Sequence, residues 1–283
     1  MDTPYLKTRH DLNDPELVSV IDEIPLWSAA FGLRILDTIR YRKSIRALDI
    51  GPGLGFPMIE LAMRLGSSSA VFGIDPWRAG NERTRKKIGI CGLSNAAIVE
   101  GVAEAMPFPD GNFDLLVSNN GLNNVRDLAA TLEECGRVAK TGAQFVFTFN
   151  TEDTFREFYE IYRLVLVESG LGDLDREVSR HIRAKRKPLR EVRTLLEASG
   201  FTVTGVAEEE FRYRFSDGSA LLNHFAIGYA FLPAWKMIPP DERREDVFRR
   251  IEERINSAAG EDRGFSMRVP FVTVDSRKGT HGR

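Results

Sequence analysis

The chain holds 283 residues, 42% of them apolar and 28% charged, a globular composition that excludes a fibrous or disordered protein. Its 39 Lys and Arg against 41 Asp and Glu leave a formal charge of -2, so no global attraction to nucleic acid or an anionic membrane is written into it. Two distant cysteines, Cys91 and Cys135, without CxxC or Cys/His spacing, indicate neither a disulfide framework nor a zinc site.

The N-terminus, MDTPYLKTRHDLNDPE, is charged where a signal peptide would be apolar. The best apolar run, Leu221 to Trp235, is short and broken by Asn223 and His224. A soluble, cytoplasmic protein without membrane insertion is therefore expected. The stretch from Asp14 to Ile39 is amphipathic and helical, with Pro25 set to kink or split it, and is one candidate cap element. From residue 45 short β-rich runs alternate with helical stretches. IRALDI at 45–50 leads to a helix over 57–65, AVFGID at 70–75 to a helix over 78–90, and AAIVE at 96–100 follows, marked as a strand only by Asn95 and Gly101. FDLLVS at 113–118, a helix over 126–139 and AQFVFTF at 143–149 complete the run. Strands and helices at this spacing predict βαβ units and a parallel sheet covered on both faces.

Beyond Asn150 the pattern turns helical, from Thr154 to about Glu168 and from Leu189 to Ser199, where Gly200 is placed as a C-cap. FTVTGVA at 201–207 and RVPFVTV at 268–274 read as two more strands. Between them lie about sixty residues, far more than a hairpin needs. They hold FRYRF with a turn at Ser216, Asp217 and Gly218, an apolar helix around 219–235 with His224 in its middle, and a charged helix from Asp241 to about Asn256. So much extra chain predicts an added cap.

The strongest chemical signal is LDIGPGLGFP at 48–57, placed after a strand and opening a helix. Glycines 51, 53 and 55 let the backbone turn tightly and approach a ligand where a Cβ would clash. Asp75, at the end of the second strand and 20 residues past Gly55, can take two ribose hydroxyls. Together they describe a nucleoside site at the carboxyl edge of a parallel sheet, open to a nicotinamide dinucleotide or to S-adenosylmethionine. The spacing is GxGxG rather than GxGxxG, and Asp49 stands two residues before the first glycine, where a pyrophosphate prefers no carboxylate and a sulfonium tolerates one. The cationic donor is favoured.

With these residues the sequence resembles the class I S-adenosylmethionine-dependent methyltransferases, in particular the type 11 group that includes the ubiquinone and menaquinone C-methyltransferases. The runs that carry the resemblance are LDIGPGLG at 48–55, VFGIDP at 71–76, VEGVAEAMPFPDGNFDLLVSN at 99–119 and ECGRVAKTGAQFVFTF at 134–149. They cover roughly residues 45–150, and the unit at 200–207 more loosely. The resemblance implies an α/β, Rossmann-like, doubly wound sheet of seven strands with helical cap insertions. It implies S-adenosylmethionine as donor and S-adenosylhomocysteine as product. By the same resemblance Asp49, Gly51, Gly53 and Gly55 line the methionine part of the donor and Asp75 holds its ribose. Pro76 and Trp77 flank the adenine, Ala103 offers its backbone N–H to that ring with Glu104 beside it, and Asn119 faces the donor. The family often has an acid where Val102 stands, and its RVLKPGG turn is RVAKTGA at 137–143 here.

The organisation expected from this is an N-terminal helical cap segment over 1–44 and a donor-binding domain over 45–207 with a helical insertion at about 151–187. An inserted cap over the acceptor site at 208–265 and a final strand and tail at 266–283 complete it. Four asparagines, 119, 120, 123 and 124, crowd the edge of the expected crevice. Each taken singly fits a turn. Asn123 and Asn124 are nonetheless assigned to the acceptor, and His224 is the candidate base should the acceptor hold its proton tightly. The basic run HIRAKRKPLR at 181–190 reads as a solvated face that could instead hold an acidic acceptor or RNA, though no interleaved aromatics support RNA. Aromatics Trp27, Phe31, Tyr213, Phe215, Phe225 and Trp235 could wall an apolar acceptor pocket, but at such spacings they read more simply as core. Methyl transfer to a small molecule leads. A nicotinamide oxidoreductase, a non-catalytic adenosyl-ligand binder and an RNA methyltransferase remain as alternatives. No metal is expected, and the oligomeric state is left open, a dimer included.

Overall fold

The computed structural model describes residues 3–21, 26–260 and 263–279. The chain forms two compact units. One, the sheet unit, comprises residues 12–151, 187–209 and 271–283; the other, the helical unit, comprises 1–11, 152–186 and 210–270.

Seven strands form one sheet: β1 (Arg46–Ile50), β2 (Ala70–Asp75), β3 (Ala96–Glu100), β4 (Phe113–Asn119), β5 (Ala139–Asn150), β6 (Phe201–Phe215) and β7 (Phe265–Lys278), in the order β3-β2-β1-β4-β5-β7-β6. The pairs β1–β2, β1–β4, β2–β3 and β4–β5 are parallel, and β5–β7 is antiparallel. The order reverses at β1 and β4, and open parallel sheets bind ligands in the crevice above such a switch point. The apolar runs of the sequence become central strands because both faces are covered. Leu48, Ile50, Leu116 and Phe145 pack on one side, and Ala47, Val71, Leu115 and Val146 on the other.

The helices Met58–Leu65, Arg78–Ile90 and Leu128–Val138 fall where the apolar spacing puts them. The last is capped by Asp127, whose side chain accepts from the Ala130 amide at 3.1 Å. In the N-terminal stretch the helices are Pro15–Ile21 and Leu26–Thr38, and Pro25 lies outside the described residues. Both helices belong to the sheet unit, the first beside Arg78–Ile90 and the second against β4 and β5.

The structure corrects the sequence reading at three places. FRYRF is not part of an insert turn but the end of β6, which runs on to Phe215. The triplet Glu208, Glu209, Glu210 reads as a strand end, yet β6 is the outermost strand, where charged side chains are tolerated. The RVAKTGA segment is strand rather than turn: β5 starts at Ala139, and register jumps from Phe113–Ala139 to Leu115–Gln144, so residues 140–143 bulge outward with Gly142 at φ +78.

The apolar helix expected over 219–235 is three short ones, Gly218–Leu222, Phe225–Ala230 and Leu232–Trp235. Asn223 and His224 interrupt the first pair, and Pro233 is tolerated because it opens the third. His224 is consequently not mid-helix but the residue preceding Phe225–Ala230, with extended backbone. In the helical unit these pieces join Arg156–Glu168, Asp175–Lys185 and Asp241–Ala259 around an aromatic core. Trp235, fully buried, stacks on Phe158 at 4.0 Å, and Phe155 meets Phe231 edge-on at 4.9 Å.

Candidate functional site

The end of β1 opens into the glycine loop. Gly51 has φ +74 and Gly53 φ +55, a left-handed backbone that side chains disfavour. A Cβ on Gly51 would stand 2.9 Å from the Gly121 Cα, whereas one on Gly53 would meet nothing within 4 Å, so the space before Gly53 is free for a ligand. The loop is held from behind. The Gly51 amide donates to the Ile74 carbonyl at 2.9 Å, and Lys87 Nζ donates to the Leu54 carbonyl at 2.7 Å. Thr84 Oγ1 donates to the Gly53 carbonyl at 3.3 Å.

Asp75 ties this loop to the next one. Its carboxylate accepts from the Gly53 amide at 2.9 Å and from the Trp77 amide at 2.8 Å. Burial raises its pKa, and these two amides oppose the shift by favouring the charged form. A carboxylate has about four lone-pair sites, so two remain for ribose hydroxyls.

Asp49 is different in kind. It is fully buried, and neither carboxylate oxygen meets a donor in hydrogen-bond geometry, although the Met58 amide lies near enough to act on its charge. Burial first, and the Asp75 charge second, push its pKa well above the usual carboxylate range; the Met58 amide works weakly the other way. Burial of this kind favours the neutral acid, and a cation sharing the site would favour the carboxylate.

In front of the loop is a pocket of about 370 Å³, within the range of small-ligand sites. It brings together seven residues that the sequence assigned to the donor: Gly51, Gly53, Asp75, Pro76, Trp77, Ala103 and Glu104. Asn124 is on its wall as well. Asp49, Gly55, Asn119 and Asn123 are not among its lining residues. Asp49 lies beneath the floor, two residues before Gly51. Gly55 is packed against Ile59 and Thr84. Asn119 is engaged on both sides, donating to the Ser28 carbonyl at 3.1 Å and accepting from Thr148 Oγ1 at 3.5 Å. Glu104 holds the rim together, since Oε1 accepts from the Arg126 and Asp127 amides at 2.7 and 3.2 Å. Val102, more than a third exposed, also lines the pocket.

Sequence reasoning missed Ile50, Ile74 and Val125, apolar walls for a flat ring, and Gly121, whose Cβ would strike the Ile50 carbonyl at 2.3 Å. The asparagine cluster also gains a member. Asn123 Nδ2 is 3.4 Å from both Asn120 Oδ1 and Asn150 Oδ1, and the Nδ2 atoms of Asn120 and Asn150 are buried without partners. Asn120 sits at φ +57, a conformation asparagine tolerates, which explains the residue type but not its unused donor. His224 belongs to the helical unit, where burial lowers its pKa and Nδ1 is buried without a hydrogen bond.

Residues 48–147 match a family model described as a methyltransferase domain. The demethylmenaquinone methyltransferase of Staphylococcus aureus (strain MRSA252) is 33% identical over 135 residues, 46% of this chain and 54% of that protein. That of Anoxybacillus flavithermus is 34% identical over 121 residues, 43% and 51% of the two chains. The chain thus spans about half the length of the curated relatives it matches. Among solved structures, the YcgJ protein of Bacillus subtilis superposes with a TM-score of 0.58 at 17% identity, covering 89% of this chain and 99% of that one. Geranyl diphosphate methyltransferase, solved with GPP and sinefungin, gives 0.54 at 15% identity over 88% and 78%. At these identities the likeness establishes the fold, a seven-stranded Rossmann-like α/β sheet with flanking helices.

Proposed function

We propose that this chain, whose residues 48–147 match a methyltransferase domain, transfers the methyl group of S-adenosylmethionine to a small-molecule acceptor. The observation that carries the reading is Asp49: a buried acid held towards its neutral form under a glycine loop can ionise against a cation, whereas a pyrophosphate brings it no counter-charge. The residues present fit the donor, since the space before Gly53 is free and Asp75 keeps acceptor capacity for a ribose. Ile50, Ile74 and Val125 offer apolar surface to a flat base.

When bound, the donor supplies an electrophilic methyl carbon whose positive charge disperses during transfer. The protein's share is then to hold nucleophile, methyl and sulfur in line at about 3 Å approach and to exclude water. In this reading the Gly51–Gly55 backbone and Asp49 fix the amino-acid end, Asp75 the sugar, and Ala103 the base. Glu104 and Trp77 keep the rim in place. The unused Nδ2 donors of Asn120 and Asn150, at the carboxyl ends of β4 and β5, suit an acceptor oxygen, with Asn123 aligning both and Asn124 on the pocket wall. Asn119 acts indirectly through the helix Leu26–Thr38. His224, whose pKa burial lowers, is a residue of the helical unit and is assigned no part in the donor pocket.

Thermal shift tests the donor. S-adenosylmethionine and S-adenosylhomocysteine at 100 times their Kd should each add about 2.7 kcal/mol of stability, and NAD(H) none. Stabilisation by NAD(H) alone would reject the reading. Release of S-adenosylhomocysteine with an acceptor present then separates an enzyme from a mere adenosyl-ligand binder.

A further inference from the structure

Among the described residues of the helical unit, Arg186 is a buried cation with no carboxylate paired to it. Arg186 follows the helix Asp175–Lys185 in extended backbone, two residues before Pro188, and is only 6% exposed. Its Nη1 is buried without a hydrogen bond, and it takes part in no ion pair among the described residues. The guanidinium lies over two rings, with Cζ 5.5 Å from the Tyr159 centroid and 6.0 Å from that of Phe155. Such contacts offset part of the lost hydration, but a ring offers no oxygen to an N–H.

The neighbours are neutral or already engaged. Trp235 Nε1, which can only donate, uses the Tyr159 oxygen at 3.0 Å, which leaves the Tyr159 proton for His181 Nε2 at 3.1 Å. Burial, then the charges of Arg186 and Lys185, lower the His181 pKa, so that ring is uncharged. Four carboxylates of the same segments have other partners. Glu157 pairs with Arg268 at 2.8 Å, Glu160 with Arg156 at 2.8 Å, Asp175 with Arg163 at 3.0 Å, and Glu152 with Arg183 at 3.9 Å. A guanidinium does not lose its proton in a protein, and a buried charge left unpaired is costly. Burial of Arg186 without a protein anion is therefore the mark of a site that receives its anion from outside.

We propose that Arg186 is the anchor of an oxyanion site in the helical unit, taking a small organic acid whose carboxylate or phosphate oxygens accept from the guanidinium, while Tyr159 and Phe155 favour an aromatic body. The planar fork of an arginine matches either oxyanion with two parallel hydrogen bonds. The site stands apart from the methyl-transfer reading and does not depend on it.

The test uses the full chain, with benzoate and phenyl phosphate as probes and benzyl alcohol as the uncharged control, all at one ionic strength set with chloride. At 10 mM, at least one of the two anions should raise Tm by about 2–4 °C, and benzyl alcohol should not. A larger shift with phenyl phosphate assigns the site to phosphates, and with benzoate to carboxylates. R186M should abolish the shift while melting no lower than the wild type, because an apolar chain then replaces an unpaired buried charge. R186K, which keeps the charge but not the fork, should bind at least tenfold more weakly by calorimetry. No shift with either anion, an equal shift in R186M, or a drop in the unliganded Tm of R186M to that of a broken structural pair would overturn the proposal. Should R186M not fold, R186K retaining full affinity would do the same.

Discussion

The two units treat buried polar groups in opposite ways. In the sheet unit nearly every candidate side chain already has a structural role, for Asp75 bridges two loops, Glu104 ties the rim, Asn119 holds a helix, and Lys87 pins the glycine loop. Among the atoms left over at the strand ends there are the Asp49 carboxylate oxygens and the amide donors of Asn120 and Asn150. In the helical unit the framework is aromatic, and the polar atoms buried without a hydrogen bond include Arg186 Nη1 and His224 Nδ1. Hydrogen-bonded side chains that face a pocket are dual-purpose, so their loss damages fold and binding together. Unsatisfied ones are where binding can be lost while the fold is kept.

That contrast orders the effects of substitution. The largest belongs to the aromatic framework: Trp235→Ala, at a fully buried ring stacked on Phe158, should destabilise by about 4 kcal/mol, read by urea denaturation. A loss under about 1 kcal/mol would mean the ring is not a core element. Next is Asp75→Ala, which removes two amide hydrogen bonds as well as the ribose contact. It should weaken S-adenosylhomocysteine binding by about 2–3 kcal/mol and lower stability by a similar amount, so titration calorimetry and melting must both move. Unchanged donor affinity would contradict its assigned role.

Asp49→Asn should split the two readouts. Because the folded protein holds the Asp49 proton above its ordinary value of 3.8, the stability it contributes is complete below that pH and is lost as pH rises towards the folded value. The variant should therefore melt higher than the wild type at neutral pH, with the advantage vanishing near pH 4, while donor affinity falls at least tenfold. A lower Tm at pH 7 would show that the carboxylate has a partner. Smallest is Glu104→Ala, which frees two amides at the rim and should cost about 1 kcal/mol of stability. A large loss of donor affinity without that destabilisation would make Glu104 a ligand group rather than a brace.

The legibility of the sequence follows the same division. The parallel strands were readable because two covered faces demand unbroken apolar runs such as LDI and FDLLV, and the glycine loop because its residues need a left-handed backbone. β6 was cut short because an edge strand admits Glu208, Glu209 and Glu210, which sequence alone assigns to a loop. The segment around His224 misled because apolar content marks burial but not helix length. Arg186 was hidden inside a run with five Lys and Arg at 181–190 that reads as solvated. What buries it, Phe155 and Tyr159, lies about thirty residues away in sequence on another element. The unused donors of Asn120 and Asn150 were equally invisible, since a satisfied and an unsatisfied amide share one letter.

The most direct measurement is calorimetric titration of S-adenosylmethionine into the wild type and Asp49→Asn at neutral pH, in buffers of different ionisation enthalpy. If a buried, protonated Asp49 receives the cationic donor, binding to the wild type releases a proton and binding to the variant is weaker and releases none. Absence of binding by a folded wild type, or equal affinity and equal proton release in both, would show that the pocket above β1 and β2 is not a sulfonium site.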